Sequence, residues 1–143
     1  MGFLGKLFGG GKELPPLDPA SPDAARLQKF RAILDGWVPK IHDKIEVVPT
    51  DRFLLAFIGL PPDRFGVAWF EPDGAEHNFK KLMASKGLTV REVNAISESL
   101  RKAYRAHEAE PRYSLEIAGK KIKVTPSLAL AKDVDEIVHK LTG

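Results

Sequence analysis

Residues 45–74 read IEVVPTDRFLLAFIGLPPDRFGVAWFEPDG, and this stretch decides the fold. It holds three apolar or aromatic runs, each closed by turn chemistry. Ile45 to Val48 stops at Pro49-Thr50-Asp51, Phe53 to Leu60 at Pro61-Pro62-Asp63, and Gly66 to Phe70 at Glu71-Pro72-Asp73-Gly74. β-Branched and aromatic side chains suit a pleated surface, whereas Pro fixes φ and removes an amide donor, so a strand ladder stops there. The spacing predicts an antiparallel meander. Its middle run, Phe53 to Gly59, is apolar on both faces and belongs at the centre, covered from both sides.

Working outward, Ser21-Pro22-Asp23 starts a helix with a Ser cap, Pro at the first helical position and an early acid. Leu27, Phe30, Ile33 and Leu34 follow at helical spacing, and Gly36 is expected to stop the helix. Trp37, Val38 and Ile41 then cover the core on the way to the sheet. After the meander a helical section spans 75–107, broken at Lys86-Gly87-Leu88 and restarted by a Thr89/Glu92 capping box. Val93, Ile96, Leu100, Ala103 and Tyr104 form its apolar stripe. A hairpin follows, with Tyr113, Leu115, Ile117, Ile122 and Val124 alternating with polar residues around Ala118-Gly119-Lys120. Asp133 with Glu136 is expected to cap a last helix bearing Val134, Ile137, Val138 and Leu141.

The expected class is α+β: a single domain with an antiparallel sheet, built from the meander and the C-terminal hairpin, packed with about four helices in the order αβββααββα. The domain is expected over residues 23–143, after a tail at 1–12 and a linker at 13–22 that carries Pro15, Pro16, Pro19 and Pro22. Type III secretion chaperones look similar in element order. That fold-level likeness implies a protein-binding, chaperone-like module as one alternative function.

The 143 residues contain no cysteine, which excludes disulfides, thiolate metal sites and thiol nucleophiles. Twenty-two Lys and Arg against nineteen Asp and Glu leave a net charge of +3, too small a surplus to mark a nucleic-acid binder. No apolar run approaches the roughly 18–20 residues of a membrane span, and no secretory signal is visible, so a cytoplasmic location is the default.

Candidate chemistry is sparse. His42, His77, His107 and His139 lack the spacing of a helical metal site, so no metal or cofactor is assigned. Glu71, Asp73, Glu76 and His77 gather at one turn. With the sheet face, this 71–77 loop carries the rival reading of a soluble small-ligand-binding protein or enzyme. Gly9-Gly10-Gly11-Lys12 is no phosphate loop, because Lys6 and Glu13 stand where that motif needs Gly and Ser or Thr. The serines fit no nucleophile elbow, and no catalytic residue is named. Arg112, Lys120, Lys121 and Lys123 make a basic patch suited to an acidic partner. Nucleic acid is disfavoured, since Tyr113 alone brings an aromatic ring to that hairpin.

The amino-terminal segment MGFLGKLFGGGK carries the sharpest signal. Phe3, Leu4, Leu7 and Phe8 span an arc of about 140° on a helix, with Lys6 and Lys12 flanking it. So short and Gly-rich a segment is not helical in water, but a bilayer surface rewards the stripe and anionic headgroups attract the lysines. Gly2-Phe3-Leu4-Gly5-Lys6-Leu7-Phe8-Gly9-Gly10 resembles the membrane-targeting helix of the Min-system cell-division ATPase, of the form Gly-Phe-Leu-x-basic-Leu-Phe-Gly-Gly. The resemblance covers nine residues and implies a weak, reversible anchor at an anionic membrane surface, with no ATPase activity. The leading expectation is a non-enzymatic adaptor held at the inner membrane face by this segment. Its protein partner, or a second copy of itself, is unspecified.

Overall fold

A computed structural model describes residues 14–142. Its centre is a six-stranded mixed sheet in the order β4-β3-β2-β1-β6-β5. The strands are β1 (Ile45–Pro49), β2 (Leu54–Leu60), β3 (Arg64–Phe70), β4 (Glu76–Asn78), β5 (Tyr113–Ile117) and β6 (Lys120–Val124). The helices among the described residues are α1 (Pro22–Gln28), α2 (Arg31–Trp37), α3 (Phe79–Lys86), α4 (Val90–Ala106) and α5 (Leu128–Thr142). The class is α+β.

The period-two alternation of the strands sorts the interior into two cores. Ile45, Val47, Leu54, Ala56, Phe70, Ile122 and Val124 meet Leu27, Phe30, Leu34 and Trp37 of the first helical pair. On the opposite face Val48, Leu55, Phe57 and Val67 meet Phe79, Leu100, Tyr104, Leu130 and Val134. Strand β2 is central to the meander, and Leu54 to Phe57 are fully buried on both sides. Each large apolar side chain removed from water in this way contributes roughly 1.5–3 kcal/mol before ordering costs.

The structure changes five local expectations. The sheet is mixed because β6 lies parallel to β1, with Glu46 opposite Lys123 and Val47 opposite Val124. The chain leaves β4 at one edge, crosses one face through α3 and α4, and returns beyond β1. Residue patterning within a strand does not encode such a long-range neighbour. The element order also departs from the one shared with type III secretion chaperones, through a divided first helix and an added strand β4.

Second, Glu76–Asn78 is an edge strand and not the start of a helix. Gly74 turns the chain at φ 99°, the Glu71 N–H donates to the Ala75 carbonyl, and β4 folds back on β3. The helix starts only after Asn78, whose Oδ1 accepts from the Lys81 N–H at 2.8 Å. Third, the first helix is two helices. Ser21 caps α1 by accepting from the Ala24 N–H, as expected. The chain then bends at Phe30 (φ −109°, ψ 6°), which buries its ring completely, and Gly36 lies inside α2. Fourth, Ser127 caps α5, accepting from the Leu130 N–H at 3.0 Å, so Asp133 is mid-helix. Fifth, the Pro-rich stretch is seated on the domain through its first residues, and turns at Pro19-Ala20 into α1. The Ser114 N–H donates to the Pro15 carbonyl and the Leu17 N–H to the Ser114 carbonyl, both at 2.9 Å, and Leu17 is buried.

Other local signals hold. Gly87 ends α3 in the left-handed conformation, and the reciprocal Thr89/Glu92 capping box opens α4. Gly59 in β2 has φ 113°, and an added Cβ there would lie 2.7 Å from the Arg64 carbonyl oxygen. Gly59→Ala is therefore expected to lower unfolding free energy by roughly 1–3 kcal/mol in urea titration. An unchanged midpoint would contradict this backbone constraint.

Candidate functional site

Strand β1 is apolar except for one residue, Glu46, which is 3% exposed. A carboxylate in the middle of a sheet costs several kcal/mol unless its oxygens are satisfied. Here the Tyr104 hydroxyl donates to Oε1 at 2.7 Å, and the Thr125 hydroxyl donates to Oε2 at 2.5 Å. Arg112 Nε stands 3.4 Å from Oε2, and its guanidinium lies over the Tyr104 ring, 5.3 Å from the centroid. Burial, and then the Glu46 charge, push the Tyr104 phenol well above its ordinary value, so it stays a donor.

Arg112 also closes the loop after α4. Its Nη1 donates to the carbonyls of His107, Glu108 and Glu110 at 3.0, 3.0 and 2.8 Å. Its Nη2 is buried without a partner among the described residues. The same loop is clipped to α5 through His107. One ring nitrogen, Nδ1, meets Glu110, and the other, Nε2, meets Asp133 Oδ2 at 2.8 Å. Hydrogen bonding to Asp133, then to Glu110, raises the His107 pKa against the opposing effect of burial. A hydrogen bond from Ser127, followed by the His107 contact, lowers that of Glu110. Both imidazole nitrogens are engaged and Ser127 is a helix cap, so this cluster fastens α4 to α5.

Glu46 also lines a groove of about 220 Å³ beside the β1–β6 pair. Leu14, Lys44, Ser114, Lys121 and Lys123 line it. The parallel β1–β6 pairing brings Glu46 level with Lys123, and β5 adds Ser114 opposite that lysine. The basic patch read from the hairpin is thus divided. Lys121 and Lys123 border the groove, Arg112 is buried, and Lys120 Nζ donates to the Ile41 carbonyl at 2.8 Å and to that of Asp43. Lys44 joins the groove from a distant part of the chain, and only the β1–β6 pairing reveals it.

The 71–77 loop is arranged differently. His77 Nε2 lies 2.7 Å from Glu71 Oε2 and its ring stacks on Trp69 at 5.4 Å. The two side chains are 42% and 52% exposed, and Asp73 accepts from the Ala75 N–H to shape the turn. Glu76 is exposed and pairs in register with Phe70, whereas His77 pairs with Trp69. A separate open cleft of about 250 Å³ lies where Trp69 and Phe53 meet Val134 and Val138 of α5. No group of three His, Cys, Asp or Glu side chains able to hold a metal occurs among the described residues. None of the described helices is long and apolar enough to cross a membrane. Phe3, Leu4, Lys6, Leu7, Phe8 and Lys12 lie outside the described residues.

Compared with protein-family models, curated proteins and solved structures, the chain matches none.

Two predictions follow from the polar cluster. Arg112→Met leaves the Glu46 carboxylate with two hydroxyl donors and no cation, and is expected to cost about 3 kcal/mol in chemical denaturation. A loss below measurement error would mean that Arg112 does not stabilise the buried charge. The His107 clip should also make stability depend on pH. Its raised folded pKa gives a contribution that is full below the ordinary value of 6.5 and lost as pH rises through the folded value. The lowered pKa of Glu110 gives a contribution present above 4.5 and lost as pH falls through its folded value. Wild type should therefore gain most over His107→Gln between these limits, with the gap in Tm shrinking on the alkaline side. Parallel Tm–pH curves would remove the clip.

Proposed function

We propose that the protein is a non-enzymatic adaptor whose α+β domain is held reversibly at an anionic membrane surface by residues 2–8. The observation that carries this reading is the segment itself. Phe3, Leu4, Leu7 and Phe8 share one helical face beside Lys6, in a chain where such apolar residues would otherwise be expected in a core. Four such side chains contribute roughly 4–8 kcal/mol on burial before ordering costs, enough for transient attachment and little more.

The adaptor half of the reading draws on how the domain uses its polar groups. Glu46, Arg112, Tyr104 and His107 each tie one element to another. The enzyme alternative needs Glu71 or Glu76 to converge on His77 in an enclosed pocket. Glu71 does reach His77, but in a solvated turn, and Glu76 is exposed on β4.

Co-sedimentation of the full chain with phosphatidylserine-containing vesicles tests the anchor. Wild type should pellet with vesicles, and Leu4→Asp/Leu7→Asp should lose at least tenfold in apparent affinity while keeping its unfolding midpoint. Equal binding by the two proteins, or none by either, would overturn the reading.

A further inference from the structure

We infer that the outward face of α4 is the adaptor's docking surface, and that its partner is an acidic segment of another protein. The inference rests on the adaptor half of the reading above and names the chemistry of the partner.

Charge is unevenly divided along the chain. Residues 79–106, which hold α3 and α4, carry seven Lys and Arg against two Glu, a surplus of five in a chain whose total surplus is three. At 100° per residue Arg91, Glu98, Lys102 and Arg105 share one arc of about 60° on α4, opposite Ile96, Leu100 and Tyr104, which face the core. Arg91, Lys102 and Arg105 are exposed, and their side chains make neither an ion pair nor a hydrogen bond with any described residue. Glu98, the acid in the arc, lies 3.6 Å from Arg101 on its flank. Glu92 lies outside the arc and accepts from the Thr89 N–H at 2.8 Å.

The acids of the adjoining elements have cations of their own. Glu71, Asp73 and Glu76 stand on the turn and strand before α3, with His77, Lys80 and Lys81. On α5, Asp133 is held by His107, Asp135 lies 3.4 Å from His139, and Glu136 falls between Lys132 and Lys140 in sequence. Beyond the end of α4, Glu110 meets His107 and Glu108 is exposed. These groups border the stripe, and the stripe itself stays positive.

The stripe suits a protein better than a phosphate surface. The large apolar side chains of α4 are turned to the core, which leaves Val90, 78% exposed at the first helical position, as the apolar contact beside Arg91. A bilayer rewards a far larger apolar face. No aromatic side chain of α3 or α4 is exposed, since Phe79 and Tyr104 are buried, so bases have no stacking platform. Glu98 stands between Arg91 and Lys102, where an array of phosphates would meet like charge. A protein segment can set carboxylates against the cations and a neutral side chain against Glu98. The linker also lies elsewhere: residues 15–17 seat on β5 at one margin of the sheet, whereas α3, which leads into α4, packs on β3 and β4 at the other.

The probe is a fluorescein-labelled peptide of repeated Glu-Glu-Leu triplets, matched in length to α4 and titrated by anisotropy with the full chain across a salt series. Wild type should bind it, with affinity falling as salt rises. At roughly threefold per exposed cation, Arg91→Gln/Lys102→Gln/Arg105→Gln should weaken binding by about thirtyfold and flatten the salt dependence. Lys29→Gln/Lys40→Gln/Lys44→Gln removes the same charge from the chain before β1 and should change binding severalfold less. Arg91→Lys/Lys102→Arg/Arg105→Lys should retain it. Val90→Asp places an acid where a helix start favours one, so it should weaken binding severalfold without lowering stability. Unfolding midpoints matching wild type show that the variants are folded. No binding by wild type, or equal losses in the two Gln triples, would overturn the inference. Leu4→Asp/Leu7→Asp should bind the peptide as wild type does, even where it has lost vesicles, so the anchor and the docking face fail separately. Loss of the peptide in that double variant would move its site to residues 2–8 and overturn the assignment to α4. Tighter binding of duplex DNA than of the peptide, or vesicle binding by Leu4→Asp/Leu7→Asp that the α4 triple abolishes, would assign the stripe to phosphates and overturn the protein partner.

Discussion

The charge on Glu46 is the constraint around which the helical layers are arranged. A carboxylate in an otherwise apolar strand has to recruit partners from every element within reach. It draws Tyr104 from α4, Thr125 from the end of β6, and Arg112 from the loop between them. Arg112 in turn gathers three carbonyls of that loop, which places His107 between Glu110 and Asp133 and fixes α5 against α4. The crossover that brings β6 alongside β1 is thus fastened by polar contacts on one face and by Ile122, Val124 and the first helical pair on the other.

Local chemistry in the sequence is a good guide to individual elements and a poor one to their neighbours. Ser21-Pro22, Gly87 and the Thr89/Glu92 pair act at the positions where capping rules place them, because each needs only residues within one turn. Asp133 with Glu136 satisfies the same pattern and misleads. Ser127 follows Pro126 and already caps the helix, which frees Asp133 for His107. The parallel β1–β6 pair and edge strand β4 are invisible to periodicity: one depends on a crossover, the other is three residues long. The site was legible only in pieces. Lys121 and Lys123 stand out in the hairpin, but Lys44 becomes their neighbour only through that crossover. Glu46 has no local signal beyond being a lone acid in an apolar run.

Function, as proposed, divides between two chemistries. In that proposal the segment's apolar stripe supplies area for the hydrocarbon boundary, and Lys6 supplies charge for the headgroups, which responds to salt.

The seating of residues 15–17 on β5 has a consequence for solubility. An open sheet ends in two rows of backbone donors and acceptors that can template another chain. On one flank this protein lays down Pro15 and Pro16, which have no amide hydrogen to offer, and on the other it ends in a strand of three residues. Both margins are poor partners for a foreign strand. Copies of the chain at high concentration would otherwise meet edge to edge, and this stretch of prolines guards one margin against such zippering.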